Sequence, residues 1–326
     1  MNAFNRRQAL ALGAVALVPA WACAQGQLRI DRPVRIVVPY PPGGTSDLLA
    51  RTVGARLTER LGQPVVIENK AGAGGVVGSQ QVAKAAPDGT TLLLSTIATH
   101  GIIPALQKTP PYDPVRDFTP ITVIAGTPNV LLVNKDLPVR TLEDFLALAR
   151  SKPGALSFGS TSQGGSPHMS GELLKVMAKI DMLHVPYKGG GPMLIDLMGG
   201  QVPAAFDNLP SAMAHIRGGK VRALAVTTTK RWPTAPDIPT MAEAGVPGYE
   251  MSAWFGLMAP PGLPRPLAQL LYREVAAILQ EPEVAKRLLE LGAEPSGITP
   301  EEFSRFLVNE REKWTRVGAS AGVKLD

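Results

Sequence analysis

Val34-Arg-Ile-Val-Val-Pro-Tyr-Pro-Pro-Gly-Gly-Thr-Ser-Asp47 is the stretch that decides how the chain folds. Its first five residues form a β-branched run short enough for a buried strand, and Pro39 ends it. Behind the Pro/Gly turn, Leu49, Val53, Leu57 and Leu61 recur at helical spacing, which predicts a helix from about Asp47 with Thr45 or Ser46 as its N-cap. A strand running through such a turn into a helix sets backbone N–H groups and hydroxyls at a helix N-terminus, where they bind anions without a formal positive charge. The alternative is an ordinary strand-to-helix turn, and position alone does not separate the two.

The same pattern recurs outward from this unit. Val65–Ile67 reads as a strand, Gly72–Gly75 as a loop, Val76–Ala85 as a helix, Asp88-Gly89 as a turn and Thr91–Ser95 as a strand. A second series opens near Val130–Val133. It runs through a helix Leu142–Ala149, a strand Ala155–Phe158, a helix Pro167–Ile180, a strand Leu183–Pro186, a short helix from Pro192, and strands Ala204–Phe206 and Val221–Thr227. Alternation of strand, turn and helix predicts α/β lobes with parallel sheets. Trp254–Met258 reads as a strand returning to the first lobe, and Thr299-Pro-Glu-Glu302 as the capping box of a last helix. Two crossings between lobes make a hinge, which suits a clamshell closing on a ligand. The expected organisation is an export segment 1–24, a first lobe 25–128, a second lobe 129–235 and a return to the first lobe over 236–326.

The first 24 residues carry Arg6 and Arg7, an apolar run Ala9–Val18 and Ala22-Cys-Ala24, the pattern of a cleaved export signal ending near Ala24. Asn5-Arg6-Arg7 leaves a twin-arginine route open, and a lipid anchor on Cys23 ranks second to simple cleavage. Cys23 is the only cysteine, so the mature chain has neither disulfide nor thiol nucleophile. The net charge of +6 falls to +4 without Arg6 and Arg7, and the basic residues form no stripe with interleaved aromatics. Nucleic acid is therefore not an expected partner, whereas a mildly basic surface favours an anionic ligand. The expected product is a soluble periplasmic monomer.

Enzyme signatures fail on inspection. Val77 stands where a dinucleotide loop starting at Gly72 needs its third glycine, and Thr161 and Gln163 spoil a nucleophile elbow starting at Gly159. His100, His168, His184 and His215 lack zinc-ligand spacing, so no catalytic residue, metal or cofactor is expected. The candidates are binding groups. The first loop offers Tyr40, Pro41, Gly43, Gly44, Thr45, Ser46 and Asp47. Ser160-Thr-Ser-Gln-Gly-Gly-Ser166 repeats its physics in the second lobe through Ser160, Thr161, Gly165 and Ser166. His168 reads as a hydrogen-bonding residue at a helix start. Ser95, Thr96 and Thr99 follow the third strand, Lys188 is either a carboxylate attractant or a solvated cation, and Asp207 either closes a strand at the cleft or belongs to a turn.

Taken together, Pro39–Asp47, Glu68-Asn-Lys-Ala-Gly72, Pro87-Asp-Gly-Thr90, Tyr112-Asp-Pro114, Gly159–His168, Val185-Pro-Tyr-Lys-Gly189, Phe206-Asp-Asn208, Pro239–Gly245 and Trp254-Phe-Gly256 give the chain a resemblance. It resembles the substrate-binding proteins of tripartite tricarboxylate transporters, the Bug family, over nearly its whole mature length. The resemblance implies a type II periplasmic-binding-protein fold, with two α/β lobes around a central cleft and a two-strand hinge. It implies a carboxylate held by main-chain amides and hydroxyls of the two loops, at Tyr40, Gly44, Thr45 and Asp47 and at Ser160, Gly165, Ser166 and His168. Asp207 is the candidate for reading the part of the ligand beyond the carboxylate. The implied partners are a small organic carboxylate (a di- or tricarboxylate, an amino acid or an aromatic acid) and the two membrane subunits of the transporter. Ser162 departs from the family pattern, which often has glycine there. A ligand-sensing partner of a receptor, or an enzyme on the same fold, are the alternatives.

Overall fold

The computed structural model describes residues 29–321; the expected export segment 1–24 lies outside the described residues. The opening unit folds as its pattern dictates. Strand β1 (Val34–Val38) lies between parallel partners β2 (Val65–Asn69) and β3 (Thr91–Thr96), which explains an apolar run without alternation. Helix α1 (Thr45–Leu61) covers it with fully buried Leu49, Val53 and Leu57, and Gly62 ends the helix in the left-handed region at φ +65°. The N-cap is Gly44, not Thr45 or Ser46. Asp47, in the third helical position, accepts the Gly43 N–H at 3.0 Å and so does part of a cap's work from inside the helix.

Beyond α2 (Val76–Ala83), a wide turn over Ala98–Ile102 and the short α3 (Ile103–Leu106), β4 spans Thr119–Asn134. It starts well before the Val130 expected from sequence. Pro120 and Pro128 read as breakers, but the strand carries them where its pairing with β9 (Ser252–Ala259) is irregular or ending. The first half of β4 completes one sheet, ordered β2-β1-β3-β9-β4. Its second half enters another, pairing with β7 (Ala204–Asn208) and β8 (Val221–Val226), while β5 (Ser157–Ser160) and β6 (Leu183–Pro186) extend that sheet from β7. β9 and β4 run antiparallel to their neighbours, so the sheets are mixed, not purely parallel. Along β4, Leu131 and Val133 face the large core and Val130 and Leu132 a second core on the opposite face, the period of two expected of a strand.

The remaining helices are α4 (Leu142–Ser151), α5 (Ser166–Ala178), α6 (Gly190–Met198), α7 (Leu209–Arg217), α8 (Arg265–Gln280), α9 (Pro282–Leu291) and α10 (Pro300–Ala321), with the two-residue β10 (Glu294–Pro295) against β4. α6 begins two residues before the expected Pro192, which sits in the first turn where a missing N–H costs nothing. The Thr299–Glu302 box at α10 forms as expected, Glu302 N donating to Thr299 Oγ1 at 3.2 Å and Thr299 N to Glu302 Oε2 at 2.9 Å.

The chain crosses between sheets at Asn129 and again near Met251, and buried Thr227 ties the crossings together. Its Oγ1 accepts the Asn129 N–H at 2.9 Å and donates to Met251 O at 2.6 Å. Its main-chain N–H donates to Asn129 O at 3.0 Å and its carbonyl accepts the Met251 N–H at 2.8 Å.

Candidate functional site

Four helices point their N-termini into one cleft between the sheets. The residues around it include Gly44, Thr45 and Ser46 of α1, Gly165, Ser166 and Pro167 of α5, Gly189 and Gly190 of α6, and Asn208 and Ser211 of α7. None of the four N-cap residues Gly44, Gly165, Gly189 and Asn208 makes a side-chain cap hydrogen bond. Away from the cleft, α4 is closed by a full Thr141–Asp144 box, while α8 and α9 also lack a side-chain cap bond and begin with Pro in the first turn. Uncapped first-turn N–H groups are orphan donors carrying the positive end of the helix dipole. One cavity is lined by residues from the first turns of all four.

The remaining walls come from Tyr40, Pro41, Thr96, Ile97, Ala98, Thr161, Ser162 and Phe255. Tyr40 donates from its hydroxyl to Gly74 O at 3.1 Å and shares a hydrogen with Thr96 Oγ1 at 3.1 Å. Burial pushes its pKa up to about 12, so it stays a neutral donor. Contacts cross the cleft: Thr45 Oγ1 donates to Ser211 Oγ at 3.2 Å, and a Cβ on Gly189 would stand 3.1 Å from Pro41 Cγ. The lobes are therefore described in a closed arrangement.

Among the described residues lining the cleft there is no lysine, arginine or histidine, and Asp207 is the one carboxyl. Asp207 is fully buried, Oδ1 accepts the Asn208 N–H at 2.8 Å, and Oδ2 has no hydrogen-bond partner. Burial raises its pKa to about 7, against the pull of the nearby Ser211 hydroxyl and the Asn208 N–H.

The expected residues divide by placement. Tyr40, Pro41, Gly44, Thr45, Ser46, Thr96, Thr161, Gly165, Ser166 and Asp207 line the cleft. Gly43 instead makes the turn, at φ +86°, and donates to Asp47. Asp47 faces away from the cleft, held by Arg51 at 2.9 Å and Asn69 at 3.1 Å as well as by Gly43. Burial pushes its pKa up, but the hydrogen bonds from Arg51, Gly43 N–H and Asn69 outweigh it and hold the group below the ordinary carboxyl value. Ser95 is buried under Gly256, and Thr99 braces Thr96 from behind, Thr96 N donating to Thr99 Oγ1 at 3.0 Å. Ser160 supports its own loop through Ser162 O at 3.1 Å and His184 Nε2 at 2.7 Å.

His168 also acts from behind. Its Nδ1 accepts the Gly164 N–H at 3.1 Å and its ring stacks on His184 at 3.8 Å. Burial lowers the pKa of His168 and takes that of His184 down to about 3, so the stack is neutral. Lys188 lies outside the cleft, beside an outer depression that shares Tyr40, Pro41, Thr161, Ser162 and Gly189 with it. Ser162 packs against Gly165, where a Cβ would meet its Oγ at 2.6 Å. Not nominated as site residues from the sequence were Ile97, Ala98, Pro167, Gly189, Gly190, Ser211 and Phe255; Gly189 and Phe255 nevertheless lie in segments that carry the resemblance, and Gly189-Gly190 stands at a strand-to-helix turn.

Two α/β units joined by two crossings, with four helix ends meeting at a closed cleft, have the form of a type II periplasmic-binding-protein fold, that of a solute-binding protein. Residues 49–323 match the family model described as "Tripartite tricarboxylate transporter family receptor", and the chain belongs to that family. It is 38% identical over 295 residues to Protein BugT of Bordetella pertussis, covering 90% of each chain. An R. palustris protein solved with adipate superposes with a TM-score of 0.88 at 43% identity, over 90% of this chain and 98% of that one. MatC from Rhodopseudomonas palustris, solved with bound malate, gives 0.83 at 37%, over 88% and 99%. The family model is that of a receptor, and the two solved neighbours each hold a dicarboxylate.

Proposed function

We propose that this chain is a periplasmic receptor that captures a small organic acid and presents it to the membrane subunits of a tripartite tricarboxylate transporter. The observation that carries the reading is the convergence of four uncapped helix N-termini on a cleft without a cation. Such a site rewards a compact anion rich in acceptor oxygens, and oriented amides act there without the desolvation cost of a buried ammonium or guanidinium. Adipate and malate in the two solved relatives support a carboxylate of four to six carbons. Closure follows from contacts to both lobes: α1 supplies one set of donors and α5, α6 and α7 the others, so the bound acid favours the closed arrangement. No helix among the described residues is long and apolar enough to cross a membrane, as a receptor released into the periplasm requires.

The test is a melting-temperature screen of the mature protein against succinate, malate, adipate, citrate, aspartate and benzoate, with their amides or esters as controls. A saturable rise for one or more acids, absent for the neutral analogues, is the expected outcome. Equal shifts with the neutral analogues would overturn anion capture.

A further inference from the structure

Resting on the carboxylate reading above, we propose that ligand capture is proton-coupled: Asp207 holds a proton on Oδ2 and donates it to the bound acid. Oδ1 is occupied by the Asn208 N–H, Oδ2 is buried without a partner, and Oδ2 faces the helix opening at Gly190, where a Cβ would stand 3.4 Å from it. An anionic ligand entering this cavity finds Asp207 as the one carboxyl in its wall and no cation to neutralise it. Two carboxylates in one water-poor site cannot both stay ionised; one takes a proton and becomes the donor to the other.

Titratable groups on the surrounding elements are engaged elsewhere. On α6, Asp196 accepts the Tyr187 hydroxyl at 2.9 Å. On α1, Asp47 is paired with Arg51, and on the second loop His168 and His184 stack on each other. His215 and Arg217 lie in the last turn of α7, at the opposite end of that helix from Asp207, and β4 carries no ionisable residue between Asn129 and Asn134. In the closed arrangement burial alone brings Asp207 to about 7. The ligand's charge pushes it higher, so binding above neutral pH draws one proton from water onto Oδ2, which then forms an O–H···O bond to the ligand's carboxylate. The net charge of the closed site is that of the acid alone.

Two measurements test this. Calorimetry of the panel acids in buffers of different ionisation enthalpy reads proton uptake directly. At pH 8 we expect an uptake approaching one proton per bound acid, and wild-type affinity falling by about tenfold per pH unit above 7. Asp207→Asn, a permanent donor of similar shape, should show neither the uptake nor the pH slope, and should bind more tightly than wild type at pH 9. Absent uptake in the wild type, combined with loss of binding in Asp207→Asn, would show an ionised Asp207 receiving a ligand donor and would overturn the proposal.

The second measurement needs no ligand. A carboxyl raised in the folded state stabilises that state below its unfolded pKa, and the benefit is lost as pH rises through about 7. The melting temperature of Asp207→Asn should therefore gain on wild type between pH 5 and pH 8. A constant gap refutes the proton on Asp207 even if no acid of the panel binds, whereas a panel without binders and a widening gap would count against the carboxylate reading alone.

Discussion

Thr45 and Ser211 are 166 residues apart and meet only because the lobes close, so their hydrogen bond offers a direct measure of closure. Thr45→Val keeps the side chain's shape and removes its hydroxyl. Ser211→Ala removes the acceptor, together with the bond that Ser211 donates to Asn208 O at 2.9 Å. At 3.2 Å the Thr45–Ser211 contact is long for two hydroxyls, and both are neutral, which places its net worth at about 0.5–1 kcal/mol. Because the bond exists in the closed arrangement, its loss appears in ligand affinity, as a weakening of about two- to fivefold. Both residues also line the cavity, so the single variants mix two effects that a double-mutant cycle separates. Calorimetric affinities for one acid of the panel, measured on wild type, both single variants and Thr45→Val/Ser211→Ala, should give a coupling of about 0.5–1 kcal/mol, the double variant losing less than the sum of the singles. Additive losses, with a coupling under about 0.3 kcal/mol, would refute the cross-cleft bond as a closure contact.

Gly189 occupies φ +112°, ψ 170°, a region open essentially to glycine alone, and faces Pro41 across the cleft. Gly189→Ala should cost about 1–3 kcal/mol of stability in thermal melts and reduce affinity further by propping the lobes apart; wild-type affinity would count against the closed contact. Asp47→Ala should destabilise by about 1–3 kcal/mol, because it orphans the Gly43 N–H and the Asn69 amide. Since its folded pKa is depressed, the wild type's advantage over this variant is present above the unfolded carboxyl pKa and disappears as pH falls through the folded one, which urea titrations at pH 7 and pH 3 will read. Thr227→Val should cost about 1–3 kcal/mol and speed hydrogen exchange at the amides of Asn129 and Met251; unchanged exchange at both would refute the hinge staple.

Units that local chemistry controls can be read from the residues alone. The β1–turn–α1 unit was legible because a β-branched run, a Pro/Gly turn and an apolar period of 3.6 act over neighbouring residues. The Thr299 capping box was legible for the same reason, and the segments carrying the family resemblance include Asp207 and the two Gly-rich loops whose residues reach the cleft wall. Tertiary structure decided what depends on distant partners. The extent of β4 follows from its pairing with β9, more than a hundred residues later, which tolerates Pro120 and Pro128 in a way local propensity cannot express. Within the two loops, the phase of α1, set by a cap at Gly44, turns Thr45 and Ser46 toward the cavity and Asp47 onto Arg51. His168 is likewise drawn back by Gly164 N–H and the His184 ring. Ser211, Gly189 and Phe255 belong to the site only because two crossings bring separate sheets face to face, and no periodicity within a single segment encodes that meeting.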